Sequence, residues 1–388
     1  MIKTSRNILH LDLDTFFVSV ERLRNSKLND KPILIGGTSD RGVVSACSYE
    51  TRSFGVHSGM PMKMARRLCP DAMLIRGDMD VYSKYSHVVT DIIAERAPVY
   101  EKMSIDEHYL DLTGMDRFFG TLKWSKELRQ RIIKESGLPI SFGLSTNKSV
   151  AKIATGEAKP NGELEIASQM VLPFLAPLSI RKIPGIGNKA FQTLRTMGVD
   201  TIETLRMVPP DMVVRVLGKN GKEVWKKANG IDPTPVKPYS ERKSIGTERT
   251  FSEDRTDTAR LEEIIATMTE KLAFQLRKKE KVTSCVTVKV RYANFDTHTK
   301  QKRIPYTALD NQLTDVAKEL FRKVYDRRMR VRLVGVKFSH LVHGAHQLNL
   351  FEDSSEMIKL YQAMDSLRRR YGEHIVHRAL AMSSKFQV

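Results

Sequence analysis

An α+β protein of several domains follows from three features of the sequence. Its 388 residues suffice for two to four domains at roughly 100–200 residues each. Strand-like and helix-like stretches alternate along the chain, and the last third reads in the order β-α-β-β-α-β, a four-stranded antiparallel sheet with two helices on one face. Before that module, Ile231–Ser240 (IDPTPVKPYS) carries three prolines and no periodicity, the mark of an interdomain linker. Composition agrees: 41% hydrophobic and 28% charged residues is a folded rather than a disordered balance. No apolar run approaches the ~18 residues of a membrane span, and the N-terminal MIKTSRNILHLDLD turns acidic where a signal peptide stays apolar. Cys47, Cys69 and Cys285 have no metal-ligand spacing and no even count, which suits a reducing cytosol.

The first strand is expected over Asn7–Asp14, where Leu9, Leu11 and Leu13 alternate with His10, Asp12 and Asp14. A helix starts near Thr15, then KPILIGG and VVSACSYETRSFGV read as strand-like, punctuated by Gly55, Gly59 and Pro61. Helices follow at Val81–Arg96 and Lys123–Ser136, with strand-like sequence over Val99–Thr113 and in LPISFGLS; Lys159-Pro160-Asn161-Gly162 is a turn by composition. Leu178–Gly230 changes to short helices around IPGIG and LGKNGKEV. In the last module Leu261, Ile264, Ile265, Met268 and Leu272 have helical spacing, as do Leu313, Val316, Ala317, Leu320, Phe321 and Val324. Strands are expected near Ser244–Phe251, Lys300–Tyr306 and Val331–Ser339. A further strand alternates Val286, Val288, Val290 and Tyr292 with Lys289 and Arg291, which sends the two cations to the face without helices.

Charge narrows the partner. Lys plus Arg outnumber Asp plus Glu by 64 to 45, and residues 237–345 hold 24 of the basic against 14 of the acidic side chains. A folded module this basic points to a polyanion such as a nucleic-acid backbone, although a solvated lysine-rich surface gives the same count.

Chemistry enters with carboxylates. Asp12 lies in the first strand, and Asp106-Glu107 lies between strand-like segments. Adjacent strand residues point to opposite faces, so Asp106 and Glu107 can share a site only if the backbone turns there, as a hairpin at Ile105–His108 would do. Three converging carboxylates need divalent cations, and an open all-oxygen site suits Mg²⁺. Spacing alone leaves open whether the two segments meet.

Seven segments in order carry a family likeness: LDLDTFFVSVE (Leu11–Glu21), SYETRSFGV (Ser48–Val56), SIDEHYLDLTG (Ser104–Gly114), GLSTNKSVAKIAT (Gly143–Thr155), AKPNG (Ala158–Gly162), IPGIG (Ile183–Gly187) and KSIGTERTF (Lys243–Phe251). The chain resembles a Y-family, translesion DNA polymerase of the bacterial DNA polymerase IV kind, over about residues 7 to 340. The resemblance implies a right-handed polymerase with palm (1–20 and 77–167), fingers (21–76), thumb (168–232), linker (233–242), little finger (243–341) and a tail (342–388). It implies two Mg²⁺ ions, with Mn²⁺ as a possible substitute, held by Asp12, Asp106, Glu107 and the Leu13 carbonyl. It further implies low-fidelity synthesis on primer-template DNA from dNTPs, without proofreading, by a cytoplasmic, nucleoid-associated monomer.

The matched side chains suit such roles. Tyr49 and Arg52, on one face if helical, and Lys159 would grip a triphosphate, Arg by its fork of donors and Lys as a point charge. The amides of Phe16 and Phe17 open a helix, a phosphate seat. Phe17 would be the steric gate against a ribose 2′-hydroxyl, whereas the Phe16 ring is expected in the core. Ser45, Ala46, Gly55 and Gly59 would leave a loose lid over the templating base. His108 stands where the family usually has a small residue, and is expected on the far side of its strand.

IPGIG resembles a helix-hairpin-helix, so Gly185 and Gly187 would bring amides to a DNA phosphate. Lys243, Arg249, Lys289, Arg291, Arg330 and Arg332 are expected DNA contacts. Gln347-Leu348-Asn349-Leu350-Phe351 resembles the peptide that docks on the bacterial sliding clamp: Gln347 as amide, Leu348, Leu350 and Phe351 as anchors. The 37 residues after Phe351 include Met357, Tyr361, Met364, Leu367 and Tyr371 at amphipathic spacing. Two other functions compete. A non-catalytic adaptor would be expected to lose the carboxylates, and all three are present. A nucleotidyl cyclase has no need of the thumb or the basic module.

Overall fold

The structure, a computed structural model, describes residues 6–115, 120–238, 241–325, 329–344, 355–372 and 375–376. The chain divides into two compact units, Met1–Ser240 and Glu241–Val388.

The first unit begins with β1 (Ile8–Leu13), α1 (Phe16–Arg24), β2 (Ile33–Gly36), β3 (Val44–Cys47), α2 (Tyr49–Arg52), α3 (Met62–Leu68) and β4 (Met73–Ile75). It continues with α4 (Met79–Arg96), β5 (Tyr100–Lys102), β6 (Glu107–Asp111), α5 (Thr121–Ser136), β7 (Ile140–Ser145), α6 (Lys148–Ala158) and β8 (Glu163–Glu165). Five strands form a sheet in the order β5-β6-β1-β7-β8. Strand β1 is central and antiparallel to both neighbours, which its sequence permits because both of its faces are buried. Leu9, Leu11 and Leu13 pack under α4 and α5 against Val89, Ile93, Leu128 and Ile132. Ile8, His10 and Asp12 face the other way, and there Ile8 meets Ala151 of α6. Helix α4 starts two residues before the expected Val81 because Asp78 caps it, accepting from the amides of Asp80 and Val81. The stretch read as continuous strand, VVSACSYETRSFGV, breaks after Cys47 into the short helix α2. Strands β3-β2-β4 make a separate small sheet.

Glycine decides how closely α6 approaches. A Cβ on Gly143, opposite His10 in β7, would lie 2.2 Å from the Ala151 carbonyl oxygen. Its absence lets the helix lie directly on the sheet.

Helices α7 (Val171–Leu175), α8 (Asn188–Thr196), α9 (Ile202–Met207), α10 (Pro210–Leu217) and α11 (Asn220–Ala228) then share a core of Ile180, Ile183, Leu194, Ile202, Leu205, Val213 and Val224. Residues 231–237 have no regular structure, and they are tied down. Ser149 Oγ donates to Asp232 at 2.6 Å, Arg6 to the Thr234 carbonyl at 3.0 Å and the Lys237 amide to Glu101 at 2.7 Å, while Val236 is buried against Tyr109.

The second unit has the expected order: β9 (Ser244–Arg255), α12 (Thr258–Lys278), β10 (Lys281–Tyr292), β11 (Thr297–Thr307), α13 (Asp310–Val324) and β12 (Val331–His343). Its antiparallel sheet runs β11-β10-β12-β9, and Val286, Val288, Val290, Val334, Val336 and Phe338 bury their side chains under both helices. Helix α14 (Ser355–Tyr371) differs from the amphipathic reading. Tyr361 is buried as expected, but Leu367 and Tyr371 are exposed, and the stripe is completed by buried Asp365 and Arg368. Charge explains this: Arg277 of α12 donates to Asp365 at 2.6 and 2.9 Å and to Asp310 at 2.5 Å.

Candidate active site

Strand register brings the two acidic segments together. Asp12 stands opposite Glu107 in the β1–β6 pair. The Leu13 amide donates to the Asp106 carbonyl at 3.1 Å, and the Met103 amide to the Glu107 carbonyl at 3.0 Å. The turn therefore falls at 103–106, slightly earlier than the expected Ile105–His108. Asp106 is in the loop and Glu107 opens β6, so the alternation rule does not separate them. Ser104 fixes the turn, donating to Asp106 Oδ1 at 2.5 Å and accepting from the Glu107 amide at 3.1 Å. His108 points the other way, buried against α4, with Nε2 3.1 Å from Thr90 Oγ1.

Helix α6 and the turn after it supply the opposing charge. Lys159 donates to Asp12 Oδ1 at 2.5 Å and lies 3.5 Å from the Leu13 carbonyl. Lys152 donates to Glu107 Oε1 at 2.5 Å. Burial pushes Asp12 up to about 6; Lys159 opposes the rise, and Glu107 and Asp106 add to it. The cluster is thus short of positive charge. Lys159 bridges Asp12 and the Leu13 carbonyl where a cation held by those same two oxygens would sit, so the donors present fit a divalent ion.

Asp14, buried beneath, organises the surroundings. It accepts from Ser141 Oγ at 2.8 Å and from the Asn161 amide at 2.7 Å, anchoring the AKPNG turn, and Tyr49 Oη is 3.5 Å away. Burial foremost, then Asp14, raises the Tyr49 phenol. Arg52 stacks on the Tyr49 ring at 4.9 Å, as expected of residues three apart in a helix.

A cleft of about 210 Å³ opens beside the acids, lined by Asp12, Leu13, Thr15, Phe16, Phe17, Ser45, Ala46, Arg52, Ser58, Asp106 and Lys159. Thr15 takes φ 42°, a strained value for a β-branched residue, and so turns the chain sharply from β1 into α1 beside the cleft. The Phe16 ring is in the core. Phe17 is half-buried, stacked 4.2 Å from Tyr82 with the planes 13° apart.

The expected DNA contacts are dispersed. Gly185 has φ +107° in the turn before α8, and Gly187 is the residue preceding that helix. Lys289 and Arg291 are on the open face of the second sheet, where Lys289 pairs with Glu248 and Arg291 donates to Thr297 Oγ1 at 2.8 Å. Arg249 is opposite Val334 and so on the helix side, at the edge strand. Lys243 and Arg330 are exposed, and Arg332 stacks on Phe295 at 4.5 Å. Register adds Arg303 and Lys337 to the open face, opposite Cys285 and Thr287. The sequence reading missed both, along with His10, Asp14 and Lys152. Pairing is invisible until partner strands are known; Lys152, inside the matched segment Gly143–Thr155, was the more legible. Gln347, Leu348, Leu350 and Phe351 lie outside the described residues.

Two family models, described as the impB/mucB/samB family and its C-terminal domain, match residues 11–156 and 242–350. The chain belongs to the impB/mucB/samB family. A DNA polymerase IV of Dehalococcoides mccartyi is 39% identical over 371 residues, 95% of each chain. Others from Streptococcus agalactiae and Treponema denticola are 38% and 33% identical, over 87% and 96% of this chain and 94% and 96% of theirs. The Y-family polymerase chimera Dbh-Dpo4(243-245)-Dbh superimposes with a TM-score of 0.77 at 26% identity, over 87% of this chain and 99% of its own. An insertion ternary complex of Dbh DNA polymerase gives 0.64 over 87% and 99%. This impB/mucB/samB member is a DNA-directed DNA polymerase of the Y family. Polymerases of this family depend on divalent metal, and among the described residues His10, Asp12 and Glu107 form a group whose ligand atoms lie within 4.8 Å of one another. Among the described residues no helix is long and apolar enough to cross a membrane.

Proposed function

We propose that the enzyme copies damaged templates with low fidelity, by nucleotidyl transfer at the Asp12–Asp106–Glu107 cluster. The observation that carries the reading is the pairing of Asp12 with Glu107, with Asp106 beside them on the wall of a cleft that also holds Phe17, Arg52 and Lys159. Asp12, Asp106, Glu107 and the Leu13 carbonyl would hold two Mg²⁺ ions, Mn²⁺ being an alternative. When bound, such a pair activates the primer 3′-hydroxyl and neutralises the departing pyrophosphate. Lys159 leaves Asp12 for the triphosphate, where its charge and the Arg52 fork, steadied by Tyr49, orient the α-phosphate. The first amides of α1 seat a phosphate. Phe17, braced by Tyr82, fills the volume of a ribose 2′-hydroxyl.

In this reading residues 1–20 and 77–167 are the palm, 21–76 the fingers, 168–232 the thumb, 233–242 the linker, 243–341 the little finger and 342–388 the tail. Small Ser45, Ala46 and Ser58 on the cleft wall would let distorted template bases pass. A monomer without proofreading, recruited to the sliding clamp through Gln347, Leu348, Leu350 and Phe351, completes the proposal.

Primer extension on intact and damaged templates tests it. Asp106→Asn should abolish extension while leaving DNA binding intact, and Phe17→Ala should admit ribonucleotides. Undiminished synthesis by Asp106→Asn would remove the cluster from the chemistry; continued exclusion of ribonucleotides by Phe17→Ala would remove the gate.

A further inference from the structure

Arg129 of α5 is half-buried and lies outside the cleft lining. Its guanidinium is nevertheless committed to the turn that carries Lys159. Nε donates to the Ile140 carbonyl at 2.9 Å, and Nη2 donates to the Asn161 carbonyl at 2.7 Å and to Asn161 Oδ1 at 2.6 Å. A planar guanidinium fixes all three directions at once, which an ammonium on a flexible stem does not.

Asn161 is gripped from its other end as well. Its amide donates to Asp14 Oδ2 at 2.7 Å, so a carboxylate holds the N–H while a cation holds the two oxygens. The next amide, of Gly162, donates to Ser141 Oγ at 3.1 Å. Asn161 has φ 50°, a left-handed conformation that asparagine tolerates better than most residues. A Cβ on Gly162 would lie 1.9 Å from the Ala158 carbonyl oxygen, so the turn closes tightly on the end of α6. Beyond it, Lys126 of α5 pairs with Glu163 at 2.6 Å.

This anchoring has one displayed group to serve. Lys159, two residues before Asn161, reaches into the cleft, 2.5 Å from Asp12 Oδ1 and 3.5 Å from both the Leu13 carbonyl and Asp14 Oδ1. A lysine stem has about 2 kcal/mol of rotamer entropy to lose, and its tip is placed only as well as its Cα is held. An error of about 1 Å in such a group is enough to impair a reaction.

We propose that Arg129 is a positioning residue for the incoming nucleotide: through Asn161 it holds Lys159 where the triphosphate is gripped. The inference rests on the reading of Lys159 as a triphosphate ligand and deepens it.

Single-turnover incorporation on primer-template DNA tests it, because it separates nucleotide affinity from transfer rate. Arg129→Lys keeps the charge and the stem but loses the fork; Arg129→Ala removes all three. Both should weaken dNTP affinity roughly tenfold, slow transfer at saturating dNTP by under about twofold, and leave primer-template affinity unchanged. Lys159→Ala should weaken dNTP affinity by itself. Adding Arg129→Lys to it should then cost less than about twofold, because a residue that acts through Lys159 has nothing left to position. Normal dNTP affinity in a folded Arg129→Lys overturns the proposal. So does a tenfold loss that recurs in full in the Lys159→Ala background, as a general structural role would produce. If melting curves show that Arg129→Ala does not fold, Arg129→Lys decides. Normal dNTP affinity in Lys159→Ala instead overturns the reading of Lys159 itself, which keeps the two failures apart.

Discussion

At the scale of single residues, the site is held in a conformation that costs stability. The Asp12 carboxyl rises from 3.8 to about 6 on folding, so the folded chain binds that proton more tightly than the unfolded one. Its contribution is therefore full below pH 3.8 and is lost as pH rises through 6. Asp12→Asn should stabilise the metal-free protein by roughly 1–3 kcal/mol at pH 7.5, the gain fading near pH 4, while it ends nucleotide transfer. Melting curves at the two pH values check both halves. His108 behaves oppositely. Burial, helped by Lys102, drops the imidazole from 6.5 to about 3, so its contribution is present above 6.5 and lost as pH falls toward 3. His108→Ala should keep primer extension, because the ring faces Thr90 and not the acids. It should cost about 2–4 kcal/mol at pH 7.5, with the gap to wild type narrowing in acid. A collapse of turnover would instead make the ring part of the site. The far-side position of His108 was legible from β alternation. The role of Asp14 was not, because its partners Ser141 and Asn161 are about 130–150 positions away in sequence and only the fold reveals them.

At the scale of elements, the site is a meeting of β1, β6 and α6, and α6 is what brings the cations. Alternating leucines made β1 readable, and the hydrophobic stripes of α12 and α13 made the second unit readable, because period and burial are properties of local sequence. The distance from α6 to the sheet is not local. It depends on the missing side chain at Gly143, whose Cβ would sit 2.2 Å from the Ala151 oxygen. Gly143→Ala should push the helix outward, lowering stability by about 2–4 kcal/mol through overpacking and strain. It should also draw Lys152 and Lys159 off Glu107 and Asp12. A crystal structure of the variant with both ion pairs at their present 2.5 Å would show that the close approach at Gly143 does not set the lysines. The same reasoning explains why α14 was misread. Its buried stripe contains Asp365 and Arg368, which count as surface residues in any hydrophobic pattern; the Arg277 fork offsets the cost of burying Asp365, while Arg368 donates to the Val376 carbonyl at 3.0 and 3.2 Å and lies 3.8 Å from Asp365.

At the scale of the whole molecule, a surplus of 19 positive charges must be translated into contacts. The second unit offers a sheet face opposite the one that α12 and α13 cover, with Arg291, Arg303 and Lys337 beside Thr287, Thr299 and Gln301, while Lys289 is partly engaged by Glu248. Cations spread among short polar side chains suit a phosphate backbone and carry no base code, so binding should be insensitive to sequence and steep in salt. Arg303→Ala with Lys337→Ala should lower the slope of log affinity against log salt by about 2, near 0.9 for each phosphate that is no longer neutralised. The drop in affinity should be equal on unrelated DNA sequences, and the rate at saturating DNA should not change. Arg249→Ala, on the helix side of the edge strand, should alter the slope less than either. A slope unchanged by the double variant, measured by fluorescence anisotropy from low to moderate salt, would mean that the open face is not where the duplex lies and that the surplus charge serves some other surface.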